Sequence, residues 1–162
     1  MKIEIEKSKP KEDGKGWFYS DKVKEHFFNP KNVIKSQDEI KKFHADGEGE
    51  VGSPACGDIM KLWIKIDKEK DIIIDSKWQT FGCASAIAST SVLSEMIKGM
   101  KVNDAMKLNA KQIVEELGGL PSEKIHCSVL GDQALIAALK DYFTKTNDPR
   151  KEKLPNLPIQ KH

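Results

Sequence analysis

A chain of 162 residues with 38% hydrophobic and 32% charged residues can bury one core of ordinary domain size beneath a heavily charged surface. Its 27 basic and 25 acidic side chains alternate finely to a net charge of +2, so no basic stripe marks a nucleic-acid partner. No apolar run approaches the roughly 20 residues of a bilayer span, and the opening MKIEIEKSKPKEDGKG lacks the apolar stretch of an export signal. No membrane partner is expected, and a cytoplasmic location is.

Residues 1–18 are charged and broken by Pro10, Gly14 and Gly16; they are expected to form a flexible tail. Residues 19–145 are read as the domain, and residues 146–162, with Pro149, Pro155 and Pro158, as a second tail. The stretch WFYSDKVKEHFFNP offers Ser20 as a helix N-cap, Val23, Phe27 and Phe28 as an inward edge, and Asn29-Pro30 as a stop. A linker rich in Gly, Asp and Glu follows, with one strand expected within residues 33–52. DIMKLWIKID alternates, with Met60, Leu62, Ile64 and Ile66 on one face and Lys61, Trp63 and Lys65 on the other, the pattern of a half-buried strand. After the turn DKEKD, IIIDSKWQTF places Ile72, Ile74, Trp78 and Thr80 at period two, which predicts an antiparallel hairpin.

From Ala84 the texture becomes helical. Ile87, Thr90, Leu93 and Ile97 recur at helical spacing, small residues fill the first half, and Gly99 is the stop. NAKQIVEELGG is a shorter helix with Asn109 as N-cap and Gly118 beyond its end. A last helix over about 128–144 turns Leu130, Ala134, Ala137 or Ala138, and Tyr142 inward. The predicted class is α+β: a small antiparallel sheet of about three strands packed against several helices, without internal repeats.

Three cysteines carry the chemistry. An odd number in a chain without an export signal does not make a disulfide framework. Cys56 lies in SPACGD before a strand, Cys83 in TFGCAS at a helix start, and Cys127 in KIHCS just ahead of the last helix. A helix N-terminus favours thiolate over thiol, and thiolate is both metal ligand and nucleophile. Gly57 and Gly82 remove side-chain bulk beside Cys56 and Cys83, as a backbone wrapped round an inorganic group requires. Structural zinc sites usually show Cys-x-x-Cys pairs, whereas these thiols stand tens of residues apart and meet only through the tertiary fold. The fourth position would then fall to Asp58 or His126. A competing reading makes Cys83 or Cys127 a nucleophile with His126 as base; on an extended chain His126 and Cys127 point to opposite sides, and that reading leaves Cys56 and Asp58 unused.

The motifs HFFNPKNV (26–33), GEGEVGSPACGDIMKLWIKI (47–66), TFGCASAIASTSVLSEMIKG (80–99) and LPSEKIHCSVLGDQALIAALKDY (120–142) resemble the iron-sulfur cluster scaffold family of the IscU type, which includes the amino-terminal domain of NifU. The resemblance implies a scaffold that builds a 2Fe–2S cluster and hands it to apo recipient proteins. It implies Cys56, Cys83 and Cys127 as the cluster thiolates with Asp58 and His126 near the metal, Asp58 being associated with lability, and a pocket able to hold iron, or Zn²⁺ in the cluster-free form. The implied sulfur donor is a cysteine desulfurase of the IscS/NifS type, with persulfide received first on Cys127, which follows His126 on a loop expected to be mobile. The chain itself is then a carrier and not an enzyme. Further partners implied are Hsp70-type and J-type chaperones, a frataxin-like protein and ferredoxin; a monomer and a homodimer are both compatible.

Departures from the family pattern are local. The chaperone-recognised Leu-Pro-Pro-Val-Lys stretch reads Leu120-Pro121-Ser122-Glu123-Lys124 here, keeping Leu120, Pro121 and Lys124. Ile34 stands where the family commonly has Gly. The stretch between Cys83 and Cys127 leaves no room for the insertion of SufU-like members, and the chain stops before the further domains of full-length NifU, as expected for the scaffold domain alone.

Overall fold

Ser20 accepts the Val23 amide on its hydroxyl at 3.1 Å, and helix α1 (Asp21–Phe28) follows. The computed structural model describes residues 19–53, 57–120 and 125–156, with residues 53 and 125–128 described by backbone alone. The cap is as the sequence predicts, but the buried face is not: Val23 and His26 point inward, while Phe27 and Phe28 are 37% and 68% exposed. An eight-residue helix buries one narrow stripe, and Phe28 sits about 140° round the axis from Val23. His26 can take the inward place because the Ser91 hydroxyl meets its Nδ1 at 2.8 Å and also accepts the Lys31 N–H at 2.8 Å.

The expected linker contains a second helix, α2 (Gln37–Phe43), capped by Ser36 accepting from the Glu39 amide and ended by His44 in the left-handed region. Its Phe43 joins Ile34 and Trp63 in a small outer core, so the face of the second strand assigned to solvent is covered at Trp63.

Three strands follow: β1 (Gly47–Ser53), β2 (Asp58–Asp67) and β3 (Ile72–Phe81), antiparallel in the order β1-β2-β3. The predicted inward set of β2 is buried as expected, at Met60, Leu62, Ile64 and Ile66. On β3 the parity changes. Lys65 pairs with Asp75 but Ile66 pairs with Ile73, so a bulge turns Ile73 into the core and leaves Ile74 exposed, against the period-two reading. The chain at 32–34 lies along the outer edge of β3, with the Ile34 amide on the Trp78 carbonyl at 2.8 Å.

The inner face of the sheet carries two long helices, α3 (Ala84–Met96) against β3 and α6 (Ile125–Thr146) against β1 and β2. Between them come a short α4 (Val102–Ala105) and α5 (Ala110–Glu116), the latter closed by a capping box of Asn109 and Gln112. The α+β class is as read from sequence. Each fully buried Leu or Ile of this interface, such as Leu62, Ile64 or Leu135, contributes on the order of 1.5–3 kcal/mol.

The packing runs past residue 145, where the sequence suggests a tail. A 3-10 turn (Pro149–Lys153) capped by Asp148 folds back, and Leu154 is buried in the main core. Arg150 pairs bidentately with Asp71 in the β2–β3 turn at 2.6 and 3.0 Å, reaches Asp148 at 2.7 Å and Asn103 at 2.9 Å, and lies over the Phe143 ring. These bonds hold the Asp148 carboxyl below its ordinary range, chiefly through the side-chain bond from Arg150. Replacing Arg150 with Ala is expected to lower unfolding free energy by about 1–3 kcal/mol in urea titrations. A depressed carboxylate stabilises above its unfolded pKa, so the deficit should be full near neutral pH and shrink as pH falls below about 4.

Candidate functional site

Cys83 occupies the joint between β3 and α3. The strand ends at Phe81, Gly82 makes the step, and Cys83 is the N-cap of α3 in extended conformation, its thiol making no capping bond to the helix and its side chain partly buried. Small residues follow at once, Ala84, Ser85 and Ala86, which lets the first turn of α3 settle on the sheet. The Ser85 hydroxyl donates to the Tyr19 hydroxyl at 3.2 Å, tying the residue ahead of the α1 cap to this turn.

Asp58 opens β2. It pairs across from Ser53 of β1, follows Gly57 at φ +71, and is only 4% exposed. The β2–β3 register sets Ile59 opposite Phe81, so one step further brings Asp58 beside Gly82. A Cβ built on Gly82 would fall 2.9 Å from Asp58 Oδ1, 3.0 Å from its Cγ and 3.0 Å from the Ala86 Cβ. The carboxylate of Asp58 therefore rests on the bare face of Gly82, one residue from Cys83 and against the first turn of α3. The two glycines serve differently from the sequence reading. Gly57 supplies a left-handed turn with open space around it, and Gly82 supplies room for a carboxylate.

The last helix reaches the same end of the molecule. Gly49 of β1 touches α6 at backbone distance, where a Cβ would come within 2.5 Å of the Ala134 carbonyl oxygen and 2.6 Å of the Ala138 nitrogen; Gly47 lies against Ala138 and Tyr142. Moving along β1 from Gly47 towards Ser53 thus moves back along α6 towards Ile125. Helix α3 likewise starts where β3 ends and runs away from it, since the Gly99 amide donates to the Ile73 carbonyl at 2.7 Å. Two helix N-termini and the Asp58 carboxylate share one end of the sheet, an arrangement in which the helix dipoles favour negative charge. Ile59 and Phe81, exposed at 39% and 64%, form the apolar lip beside it.

His126 and Cys127 are the second and third residues of α6, which begins at Ile125 and not near residue 128. They are helical, about 100° apart round the axis, and Cys127 is not on a loop. Cys56, Pro121 and Lys124 lie outside the described residues; Leu120 packs on the main core. Among the described residues, Asp58 and Cys83 thus reach the same end of the sheet, Asp58 against Gly82 and Cys83 next to it in the chain. Among the described residues no group of three or more His, Cys, Asp or Glu could hold a metal ion. Sequence reasoning missed Tyr19 and Ser85 as members of this end; the small-residue start of α3 was the one local hint.

Fold and site together define a small α+β domain that presents a thiol and a carboxylate where two helices start. The chain matches the NifU-like N-terminal domain model over residues 18–149. It is 50% identical over 127 residues to the iron-sulfur cluster assembly scaffold protein IscU of Aquifex aeolicus, covering 78% of this chain and 77% of that one. It is 52% identical over 126 residues to the nitrogen fixation protein NifU of Trichormus azollae, covering 78% of this chain and 42% of that one. The chain thus spans less than half the length of the NifU relatives it matches. A solved structure of a candidate iron-sulfur cluster assembly scaffold protein for the SUF system from Fervidobacterium islandicum AW-1 superposes with a TM-score of 0.55 at 26% identity, covering 75% of this chain and 96% of that one. The chain belongs to the NifU-like N-terminal domain family.

Because Gly49 meets the backbone of α6, Gly49→Ala should force the helix off β1, an overpacking cost of about 1–3 kcal/mol or more. The expected outcome is a lower melting temperature with amide exchange accelerated in α6 more than in α3.

Proposed function

We propose that this chain is a scaffold on which an iron-sulfur cluster of the 2Fe–2S type is assembled and from which it passes to apo recipient proteins. The cluster is cargo. Cys56, Cys83 and Cys127 are its thiolate ligands, and Asp58, or His126 at the start of α6, takes the remaining place. The single observation that supports this most is the Asp58 carboxylate packed on Gly82, the residue before Cys83, at the end of the sheet where α6 also starts, in a chain 50% identical over 127 residues to an IscU protein.

The chemistry follows from the donor set. Thiolates are soft ligands suited to iron-sulfur clusters, whereas a carboxylate oxygen or an imidazole in the last place binds iron less durably. A cargo that must leave is better served by one exchangeable ligand than by four thiolates. The two helix N-termini favour the anionic ligands, and the apolar lip of Ile59 and Phe81 leaves the site open to a partner's approach. Three thiolates with one oxygen or nitrogen also make a tetrahedral set that accepts Zn²⁺ when no cluster is bound.

Sulfur arrives from a cysteine desulfurase as persulfide, with Cys127 in the first turn of α6 as the first acceptor. Its reduction to sulfide takes electrons, the part a ferredoxin would supply. A frataxin-like protein and Hsp70-type and J-type chaperones complete the partners, the last engaging Leu120, Pro121 and Lys124. The pyridoxal chemistry stays on the desulfurase, so this chain carries and does not catalyse. No described helix is long and apolar enough to cross a membrane, in keeping with work in the cytoplasm.

The test is anaerobic reconstitution with ferrous iron, cysteine and a desulfurase, followed by iron and sulfide analysis. Wild type should develop visible thiolate-to-iron absorption, and Cys56→Ser, Cys83→Ser and Cys127→Ser should each lose most of it. Asp58→Ala should retain the cluster and release it more slowly to an apo acceptor. Cluster formation indifferent to the three cysteines, or one tightly held Zn²⁺ whose removal unfolds the protein, would overturn the proposal.

A further inference from the structure

We infer that Gly82 is a positioning residue for cluster release: the absence of a side chain there is what holds the Asp58 carboxylate within reach of iron bound at Cys83. This rests on the reading of Asp58 as the exchangeable ligand and goes beyond it to what places that ligand.

Glycine can be required by a backbone angle or by space. Gly57, Gly99, Gly118 and Gly119 adopt positive φ, and Gly82 does not. Any residue could take its backbone conformation, so space is the reason. The space is enclosed on two sides, by the Asp58 carboxylate, at 2.9 Å from the position a Cβ would take, and by the Ala86 Cβ at 3.0 Å. Ala86 is fully buried in α3 and cannot retreat. Asp58 cannot retreat with its backbone either, because that residue is fixed in the ladder opposite Ser53. What can move is the carboxylate alone, by rotation of its side chain away from Gly82 and from the neighbouring Cys83. A methyl at residue 82 therefore leaves every ligand in the chain and displaces one.

The consequence is an interaction between positions 58 and 82 that a double-mutant cycle reads directly. Wild type, Gly82→Ala, Asp58→Ala and the double variant are compared first as cluster-free protein by thermal denaturation. Gly82→Ala should lower the melting temperature by several degrees in the Asp58 background and by much less once Asp58→Ala has removed the obstructing carboxylate. Should Gly82→Ala alone fail to fold, recovery of folding in the double variant gives the same result. Additive effects would overturn the inference.

The four proteins are then loaded with cluster and mixed with an apo acceptor. Gly82→Ala should slow transfer severalfold, as Asp58→Ala does, and the double variant should be no slower than Asp58→Ala. A Gly82→Ala protein that transfers at the wild-type rate while Asp58→Ala is slow would sink the positioning role. Wild-type transfer by Asp58→Ala would instead sink the ligand reading together with this one, and it would do so even with the coupling intact in the cluster-free protein, so the two failures are distinguishable.

Discussion

The fold depends on helices lying on a sheet at backbone distance. Gly47 and Gly49 of β1 face Ala134, Ala138 and Tyr142 of α6 with no side chain between them, and α3 buries serines and alanines where most helices would bury leucines. Close approach fixes more than the core. It sets where each helix begins, because a helix laid this tightly on a strand cannot slide along it without meeting larger neighbours such as Ile64. The N-termini of α3 and α6, and the residues they carry, inherit their positions from that contact.

Close packing also explains the polar interior of α3. Buried serines are tolerated where their hydroxyls find carbonyls or partners: Ser76 donates to the Ser94 carbonyl at 2.6 Å, Ser94 to the Ser91 carbonyl at 2.6 Å, and Ser91 joins His26 and the Lys31 amide. The same bonds fasten α1 and the chain after it to α3, so the small-residue helix is a hub for elements far apart in sequence.

Much of this architecture is legible in the amino-acid sequence. Caps at Ser20 and Asn109, the stop at Gly99, the inward set of β2 and the small-residue start of α3 are local signals that tertiary context leaves standing. The misreadings share one cause, which is dependence on distant residues. His26 turns inward because Ser91, 65 positions away, receives it. Ile73 and not Ile74 is buried because a bulge shifts pairing between Lys65 and Ile66. Helix α2, with only Ile40 and Phe43 as apolar residues, has too thin a stripe to declare itself until Trp63 covers it. At the candidate site, the junction positions of Cys83 and Asp58 can be read from sequence, but their meeting follows from the register that sets Ile59 opposite Phe81, and Gly82 gains its meaning only from that.

The ionic knot of Arg150, Asp71 and Asp148 lies at the β2–β3 turn, the end of the sheet opposite Cys83. Such a molecule is stapled at its foot. Any local opening that parts the base of the sheet has to break these charge-assisted bonds, so the β2–β3 turn and the chain end folded onto it let go together.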